Sequence, residues 1–227
     1  MINILLKRAA IIFLLISLCT AAIPQSPVAV AKEPFHKLIF SNEYVRILEV
    51  HIPPHDTTQY HIHQTNSAIV FLSTNKTGSQ VMGGKPLSGH SLLGNTTYAA
   101  FGDSPVTHRV WNDDTAVYHV FDIELPHHSK GSWEPVINNP ELSVGWENNL
   151  ARAYHLDLNP NGHVKLEGSD HPHLLIRISG SPTPFRQSMS MTGKLRPIFF
   201  VWYPAGTAIE FTNKETVPEK CIILELK

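Results

Sequence analysis

The sequence predicts an all-β protein made of two barrels in tandem. Short apolar or alternating runs recur along the chain, such as "YVRILEVHI" (44–52) and "SAIVFLS" (67–73), and turn-forming clusters such as "NKTG" and "FGDSP" separate them. The 227 residues include 17 prolines and 13 glycines, which favour many turns over long helices. Many short strands at this spacing are typical of a sandwich or barrel.

An internal duplication indicates that there are two such units. When the second half is placed under the first, identical residues fall together in order, with five fewer residues in the middle of the second copy. The matching pairs are Arg46 and Arg152, Pro54 and Pro160, and Ser73 and Ser179 at a shift of 106, and Asn112 and Asn213 at a shift of 101. We therefore expect an N-terminal barrel at residues 35–126, a linker at 127–147 and a C-terminal barrel at 148–227. Trp133 and Trp146 of the linker are expected to pack on the barrels.

The first residues have the pattern of an export signal. Lys7 and Arg8 provide a basic start, an apolar run of about ten residues follows, and small residues stand at 20–22. We expect a signal peptide at 1–22, with a second cleavage candidate as late as Ala31 and an uncleaved anchor as the alternative. The mature protein would then be periplasmic or secreted, with no stable membrane span.

Composition limits the classes of partner. The formal net charge is −1, so the chain lacks the basic field that holds nucleic acid. Removal of the signal would also remove Cys19 and leave Cys221 as the single cysteine, which excludes an internal disulfide. Cys221 lies in the strand-like run "KCIILEL", where it is expected to be a small buried hydrophobic residue.

Three histidines in the first half are candidate metal ligands. His61 and His63 are two residues apart, so on an extended strand both point to the same side. His108 follows the turn "GDSP" and enters another apolar run, with Asn112 four residues later. Neutral imidazoles on one face can share a divalent ion. The alternative is that all three are ordinary polar residues of a barrel interior.

This combination resembles the cupin family. The family's first motif is HxH followed by a glutamate three or four residues on, and its second is PxGxxHxxxN. His61 and His63 match the first pair, and His108 with Asn112 matches HxxxN. The resemblance covers the whole mature chain. It implies two double-stranded β-helix (jelly-roll) barrels, with His61, His63 and His108 binding one metal inside the first.

The first half also departs from the family pattern. Ser67 or Ala68 stands where the glutamate would fall, and the PxG element is replaced by Asp103 and Pro105. The expected site keeps three histidines and has no carboxylate. It therefore resembles the all-histidine sites of thiol and β-diketone dioxygenases rather than the three-histidine, one-glutamate sites of oxalate-degrading bicupins.

The second half is expected to be a structural barrel without a metal. It keeps the second motif from Pro204 to Asn213, but Ile209 replaces the histidine. At the shift of 106, Glu167 and Ser169 replace His61 and His63. His171 and His173 also form an HxH, but the strand match puts them four residues out of register, so they are not expected to be ligands.

Two function classes remain open. One is a metal-dependent enzyme, dioxygenase-like, that acts on a small molecule with one divalent ion (Fe, Zn, Mn, Ni, Co or Cu). Its catalytic residues are not assigned, and Tyr60, Tyr98 and His55 are the candidates for a general base. The other class is a non-enzymatic bicupin that binds a small molecule or sugar or has a structural role. A homodimer is a further expectation, because exposed sheet edges are often covered by pairing.

Overall fold

The computed structural model describes residues 26–126, 135–180, 186–189 and 195–227. The predicted signal peptide at 1–22 and Trp133 lie outside the described residues. Within its described residues, the first half contains ten strands and a short 3₁₀ helix, Val30–Lys32. Its strands are β1 (Val28–Ala29), β2 (His36–Ser41), β3 (Arg46–Ile52), β4 (His61–His63), β5 (Ser67–Phe71), β6 (Asn75–Val81), β7 (Leu87–Ser91), β8 (Thr96–Ala99), β9 (Val106–Asn112) and β10 (Tyr118–Glu124).

The second half is also made of strands. They are β11 (Leu142–Glu147), β12 (Ala151–Leu158), β13 (His163–Leu166), β14 (His173–Ser179), β15 (Arg186–Met189), β16 (Leu195–Ile198), β17 (Phe200–Tyr203), β18 (Ile209–Thr212) and β19 (Glu219–Leu226). Nothing helical in the described part of the chain is long and apolar enough to cross a membrane. The predicted all-β class is confirmed.

Two five-stranded sheets form the first barrel, with strand orders β1-β4-β9-β6-β7 and β2-β3-β10-β5-β8. Alternation along the strands produces an inside and an outside. On β3, Val50 and Ile52 belong to a buried cluster inside the barrel, whereas Ile47 belongs to a separate cluster on the opposite face. The same sheet therefore lines the interior of the barrel and contributes to a second core behind it.

The second barrel is built around one sheet of order β11-β12-β19-β14-β17, with two-stranded sheets β13-β18 and β15-β16. Its interior is filled by apolar side chains. The buried members are Tyr154, Leu156, Leu158, Val164, Leu166, Leu175, Ile209, Cys221 and Ile223. Cys221 is free and buried, as the sequence predicts.

Equivalent hydrogen bonds confirm the internal duplication. Asn112 Nδ2 donates to the carbonyl oxygen of Ile52 at 3.0 Å, and Asn213 Nδ2 donates to the carbonyl oxygen of Leu158 at 3.0 Å. The partners are related by the shift of 106 and the asparagines by the shift of 101. Each asparagine ties the end of one strand to a distant strand, which explains why both copies keep it.

Equivalent ion pairs lie at the ends of the matching strands. Arg46 Nη1 is 2.8 Å from Glu124 Oε2 in the first barrel, and Arg152 Nη1 is 3.0 Å from Glu225 Oε2 in the second. Because both partners follow the same shifts as the asparagines, the two copies share one framework and differ mainly in what fills it.

The barrels pack on each other through the outer faces of their central sheets. One apolar core joins them, and its buried members are Val45, Ile47, Ala68, Val70, Phe121, Ile123, Leu125, Leu150, Ala151, Ala153, Leu174, Ile176, Phe200, Ile222, Leu224 and Leu226. Trp146 packs beside this core with its ring centroid 5.8 Å from that of Tyr98. Its Nε1 donates to Thr96 Oγ1 at 3.3 Å. The predicted packing of Trp146 on a barrel is therefore confirmed.

The predicted domain limits at residues 35, 126 and 148 stay predictions. Two elements lie outside those limits. β1 precedes residue 35 and pairs in parallel with β4, and β11 lies within the predicted linker and pairs with β12.

Candidate metal centre

The short strand β4 carries His61 and His63 into the interior of the first barrel. β4 pairs antiparallel with β9, and this register places His61 directly opposite His108. His61 is fully buried and His63 is 4% exposed. The three predicted histidines thus come from two adjacent strands, which explains how His108 meets residues 45 and 47 positions before it.

The structure brings these three imidazoles together. The ring centroids of His61 and His108 are 4.7 Å apart, those of His63 and His108 are 4.9 Å apart, and those of His61 and His63 are also 4.9 Å apart. The three rings are therefore neighbours, but His108 is not in the group whose ligand atoms lie close enough to share an ion, and its role as a ligand stays a prediction.

A fourth imidazole, which sequence reasoning missed, belongs to the same cluster. His36 on β2 has its ring centroid 4.6 Å from that of His61. One ring nitrogen from each of His36, His61 and His63 lies within 4.8 Å of the others, so these three could hold a metal ion. His36 is outside both motifs, and only the pairing of β2 with β3 reveals that it points inward.

Each of three rings has one nitrogen next to an acceptor. His36 Nδ1 is 2.6 Å from Glu33 Oε2, and His61 Nδ1 is 2.8 Å from the carbonyl oxygen of Gln59. His63 Nδ1 is 3.3 Å from Asp122 Oδ2, without full hydrogen-bond geometry. Metal-binding histidines are commonly oriented in this way, with the second nitrogen left for the ion.

The remaining nitrogen of His61 fits a metal ligand. His61 Nε2 is buried and has no hydrogen-bond partner. Leaving a buried polar atom unpaired costs about 1–3 kcal/mol, and a bound ion would remove that cost. The donor set of buried imidazoles suits a borderline divalent ion such as zinc or nickel.

Burial keeps two of these imidazoles neutral. It lowers the pKa of His61 to about 4, with a smaller contribution from the neighbouring His36. Burial likewise lowers the pKa of His108 to about 3, with His61 as the next cause. A neutral imidazole has the free lone pair that a metal requires, so both are available as ligands at neutral pH.

A carboxylate that sequence reasoning missed also lines the cavity, and the expectation of a ligand set without a carboxylate stays a prediction. Asp122 on β10 is 2% exposed and lines the same cavity as the histidines. Burial acts to raise its pKa, but the neighbouring His63 and Ser67 side chains outweigh burial, and the pKa is lowered. Asp122 therefore places a negative charge beside His63 but is not a member of the metal-capable group of histidines.

The histidines open onto a cavity of about 160 Å³ inside the barrel. Apart from the four histidines, Asp122 and Thr97, its walls are apolar or aromatic. These remaining residues are Val50, Ile52, Ile69, Phe71, Phe101, Val110, Tyr118 and Val120. Burial raises the pKa of Tyr118, so its phenol stays protonated. The cavity suits a small, mostly apolar molecule with one polar end.

None of the three candidate bases lines this cavity. The Tyr60 hydroxyl donates to Gln80 Oε1 at 2.9 Å, away from the histidines. Tyr98 packs on Trp146 between the barrels. His55 is exposed in a turn, where its φ is 61°. The chain contains many histidines and tyrosines, and only the strand register distinguishes those that point into the barrel from those that lie outside it.

In the second barrel the positions equivalent to His61 and His108 are apolar, and the predicted counterparts Glu167 and Ser169 are each one residue out of register. Leu166 pairs with Ile209 as His61 pairs with His108. Leu166, not Glu167, therefore occupies the position of His61. Glu167 lies outside, with a side chain that is 81% exposed.

A one-residue irregularity explains the error. In the first barrel, Thr57 bridges to Trp111, and His61 pairs with His108, so one strand advances four residues while its partner advances three. The second barrel pairs residue for residue from His163 to Leu166. One extra residue in a strand turns the following side chains to the other face.

His171 and His173 do not form a metal-capable group among the described residues. Both are buried, and His173 Nε2 is 4.0 Å from Glu225 Oε1. The absence of a metal site in the second barrel stays a prediction.

No protein-family model matches the sequence, and no curated protein matches it. Solved structures match in fold. AerE from Microcystis aeruginosa is 14% identical, with a TM-score of 0.53 over 86% of this chain and 98% of that chain. The bacterial pirin YhhW from Escherichia coli, solved in complex with nickel(II), is 12% identical, with a TM-score of 0.53 over 84% of this chain and 90% of that chain.

A salicylate 1,2-dioxygenase from Pseudaminobacter salicylatoxidans is 8% identical, with a TM-score of 0.53 over 81% of this chain and 71% of that chain. At such identities the likeness concerns the fold. Together with the two barrels and the repeated asparagine and arginine contacts, these comparisons show that the chain has the bicupin fold.

Proposed function

We propose that the first barrel binds one divalent metal ion through His61, His63 and His108, with His36 as a fourth imidazole. The observation that carries this proposal is the buried, unpartnered Nε2 of His61 among three other imidazole rings. The nickel(II) complex of the bacterial pirin, which has a similar fold, supports it.

The surrounding residues orient the histidine rings and supply a negative charge. Glu33 and the Gln59 carbonyl fix the orientation of two rings, and the ionised Asp122 contributes a negative charge that partly offsets the charge of a cation. A divalent ion held by these histidines would act as a Lewis acid on an oxygen of the bound molecule. The apolar wall excludes bulk water from that oxygen.

The size of the cavity narrows the class of substrate. A cavity of about 150 Å³ lined by aliphatic and aromatic side chains binds benzene in another protein, and the cavity here measures about 160 Å³. We propose that the substrate is a small molecule with one ring or a short branched chain and an oxygen that reaches the histidines. The proposed reaction is oxidation by molecular oxygen, as in a dioxygenase, and the fold likeness to the salicylate enzyme supports it.

One observation favours the alternative of binding without turnover. Among the described residues that line the cavity, Tyr118 and Asp122 are the titratable side chains other than histidine. The Tyr118 phenol stays protonated, which leaves Asp122 as the available base. A site with so few acid–base groups suits a binding protein as well as an enzyme.

We also propose that residues 1–22 direct export. Because β1 (Val28–Ala29) pairs with the strand of His61 and His63, cleavage after Ala31 would remove a strand next to the metal centre. Cleavage near Ala22 keeps it.

Elemental analysis of the untagged protein tests the metal proposal. The wild type is expected to hold a metal equivalent that the double variant His61→Ala, His63→Ala lacks. His90→Ala, at an exposed histidine on β7, is the matched control and should leave the metal content unchanged. Equal metal content in all three proteins would refute the proposed site.

Oxygen consumption separates the enzyme from the binding protein. The iron-loaded protein is tested with small aromatic acids, diketones and thiols. Uptake that disappears in the double variant supports an oxygenase. Tight binding of one of these compounds without uptake supports the binding alternative.

A further inference from the structure

A second histidine cluster lies on the other side of the sheet that lines the first barrel. β10 pairs with β3 so that His119 stands directly opposite His51, and Glu49 is two residues before His51 on the same face. Val50 and Val120 of the same strands point into the barrel. The second cluster is therefore on the outer face and separate from the first metal centre.

The three side chains are close enough to share one ion. His119 Nε2 is 3.3 Å from Glu49 Oε1, and His51 Nδ1 is 3.9 Å from Glu49 Oε2. One ligand atom from each of the three residues lies within 4.8 Å of the others. All three side chains therefore lie within reach of one another on one face of the sheet.

We propose that Glu49, His51 and His119 form a second binding site for a divalent ion of the zinc class. Two imidazoles and one carboxylate are a recognised ligand set for zinc, and copper or nickel accept the same nitrogens. The single carboxylate lowers the net charge of the ion and its ligands to about +1, so a second acidic ligand is not needed to neutralise the site.

The degree of exposure suits a site that is filled from solvent. The Glu49 side chain is 14% exposed, which leaves the carboxylate in a fixed place, whereas the His119 side chain is 28% exposed and that of His51 is 49% exposed. Water can complete the coordination on the open side. This distinguishes the second site from the enclosed first centre and predicts faster exchange of its ion.

Binding requires one ring to turn. The two imidazoles are stacked, with their centroids 4.1 Å apart and an angle of 20° between their planes, so the nitrogen lone pairs lie in nearly parallel planes. A common ion needs lone pairs that converge. The half-exposed His51 ring can rotate about its Cβ–Cγ bond, where the torsional wells are broad. The stack must therefore open before both rings can bind one ion.

Zinc binding in a background without the first centre tests the inference. The untagged double variant His61→Ala, His63→Ala is titrated with Zn²⁺ by calorimetry, and its zinc content is measured after dialysis. It is expected to bind one equivalent. Adding His119→Ala should lower the affinity at least tenfold, and adding His51→Ala, at the more exposed ring, should do the same.

Two further variants complete the test. Glu49→Gln keeps the shape of the side chain, removes its charge and should also weaken binding at least tenfold, whereas His90→Ala should leave the affinity unchanged. Zinc binding that survives both His51→Ala and His119→Ala would overturn the second site. Wild-type protein that binds no more zinc than the double variant would instead overturn the first centre, so the two failures are distinguishable.

Discussion

Replacing Asn112 by alanine removes the side chain that anchors the end of β9. Its Nδ2 donates to the carbonyl oxygens of Ile52 at 3.0 Å, Pro53 at 3.1 Å and Ala116 at 2.7 Å, and its Oδ1 accepts from the backbone N–H of Asp114 at 3.0 Å. Asn112 is 1% exposed, so water cannot replace these bonds without rearrangement. Because the amide group has two N–H donors for three acceptors, the four contacts amount to about three full hydrogen bonds. At about 0.5–1.5 kcal/mol per bond, the expected loss in the free energy of unfolding is about 2–5 kcal/mol.

The duplicated chain provides a matched control in Asn213→Ala. Asn213 makes corresponding bonds to Leu158 and Val217, at 3.0 Å and 2.8 Å, so its loss should destabilise the protein by a similar amount. Only Asn112→Ala should also weaken metal binding, because β9 carries His108 four residues before Asn112. A 2–5 kcal/mol loss in a domain of this size corresponds to a fall in Tm on the order of 10 °C.

Urea unfolding of the metal-free proteins and competition with a chelating dye measure the two effects. A loss below about 1 kcal/mol for Asn112→Ala would refute the reasoning about buried hydrogen bonds. Equal loss of metal affinity in both variants would refute the assignment of the metal to the first barrel.

Three further predictions concern the centre itself. Asp122→Asn, measured by dye competition, should weaken metal binding about 10–100-fold, because the charge beside His63 is removed; unchanged affinity would contradict the role of Asp122. The stability of the metal-free protein to urea should fall as the pH is lowered from about 6.5 toward 4. In the unfolded chain, His61 and His108 take up protons below about pH 6.5. In the folded chain their pKa values are about 4 and about 3, so protonation favours the unfolded state. His61→Leu should flatten that dependence, and an equal slope in the variant would count against burial as its cause. Val120→Phe should fill the cavity, abolish ligand binding and leave the metal content unchanged, as elemental analysis and calorimetry can show.

The sequence predicted much of the fold and part of the centre. His61, His63 and His108 are recognisable because a two-residue spacing on a strand and an HxxxN turn are local patterns. The duplication was likewise visible, since Asn112 and Asn213 keep the same hydrogen bonds and therefore the same spacing. Each motif is formed by residues close together in the chain, and the duplication repeats that local spacing in the second half.

The missed residues depend on strand pairing. His36 approaches His61 only because β2 lies beside β3, and Asp122 approaches His63 only because β10 lies in the centre of the same sheet. The available signal was a charged residue within the apolar run "AVYHVFDIEL". Glu167 was assigned wrongly because a single extra residue after Thr57 changes which side chains face inward, and composition does not reveal such an irregularity.

X-ray absorption spectroscopy of one bound zinc tests the central claim most directly. The protein is the variant His51→Ala, His119→Ala, which keeps the first centre and lacks the second cluster. The account predicts a first shell dominated by imidazole nitrogen at about 2.0–2.1 Å, with the multiple-scattering pattern of at least three histidines. Zinc with a mainly oxygen shell, or the same spectrum after His61 and His63 are replaced, would contradict it.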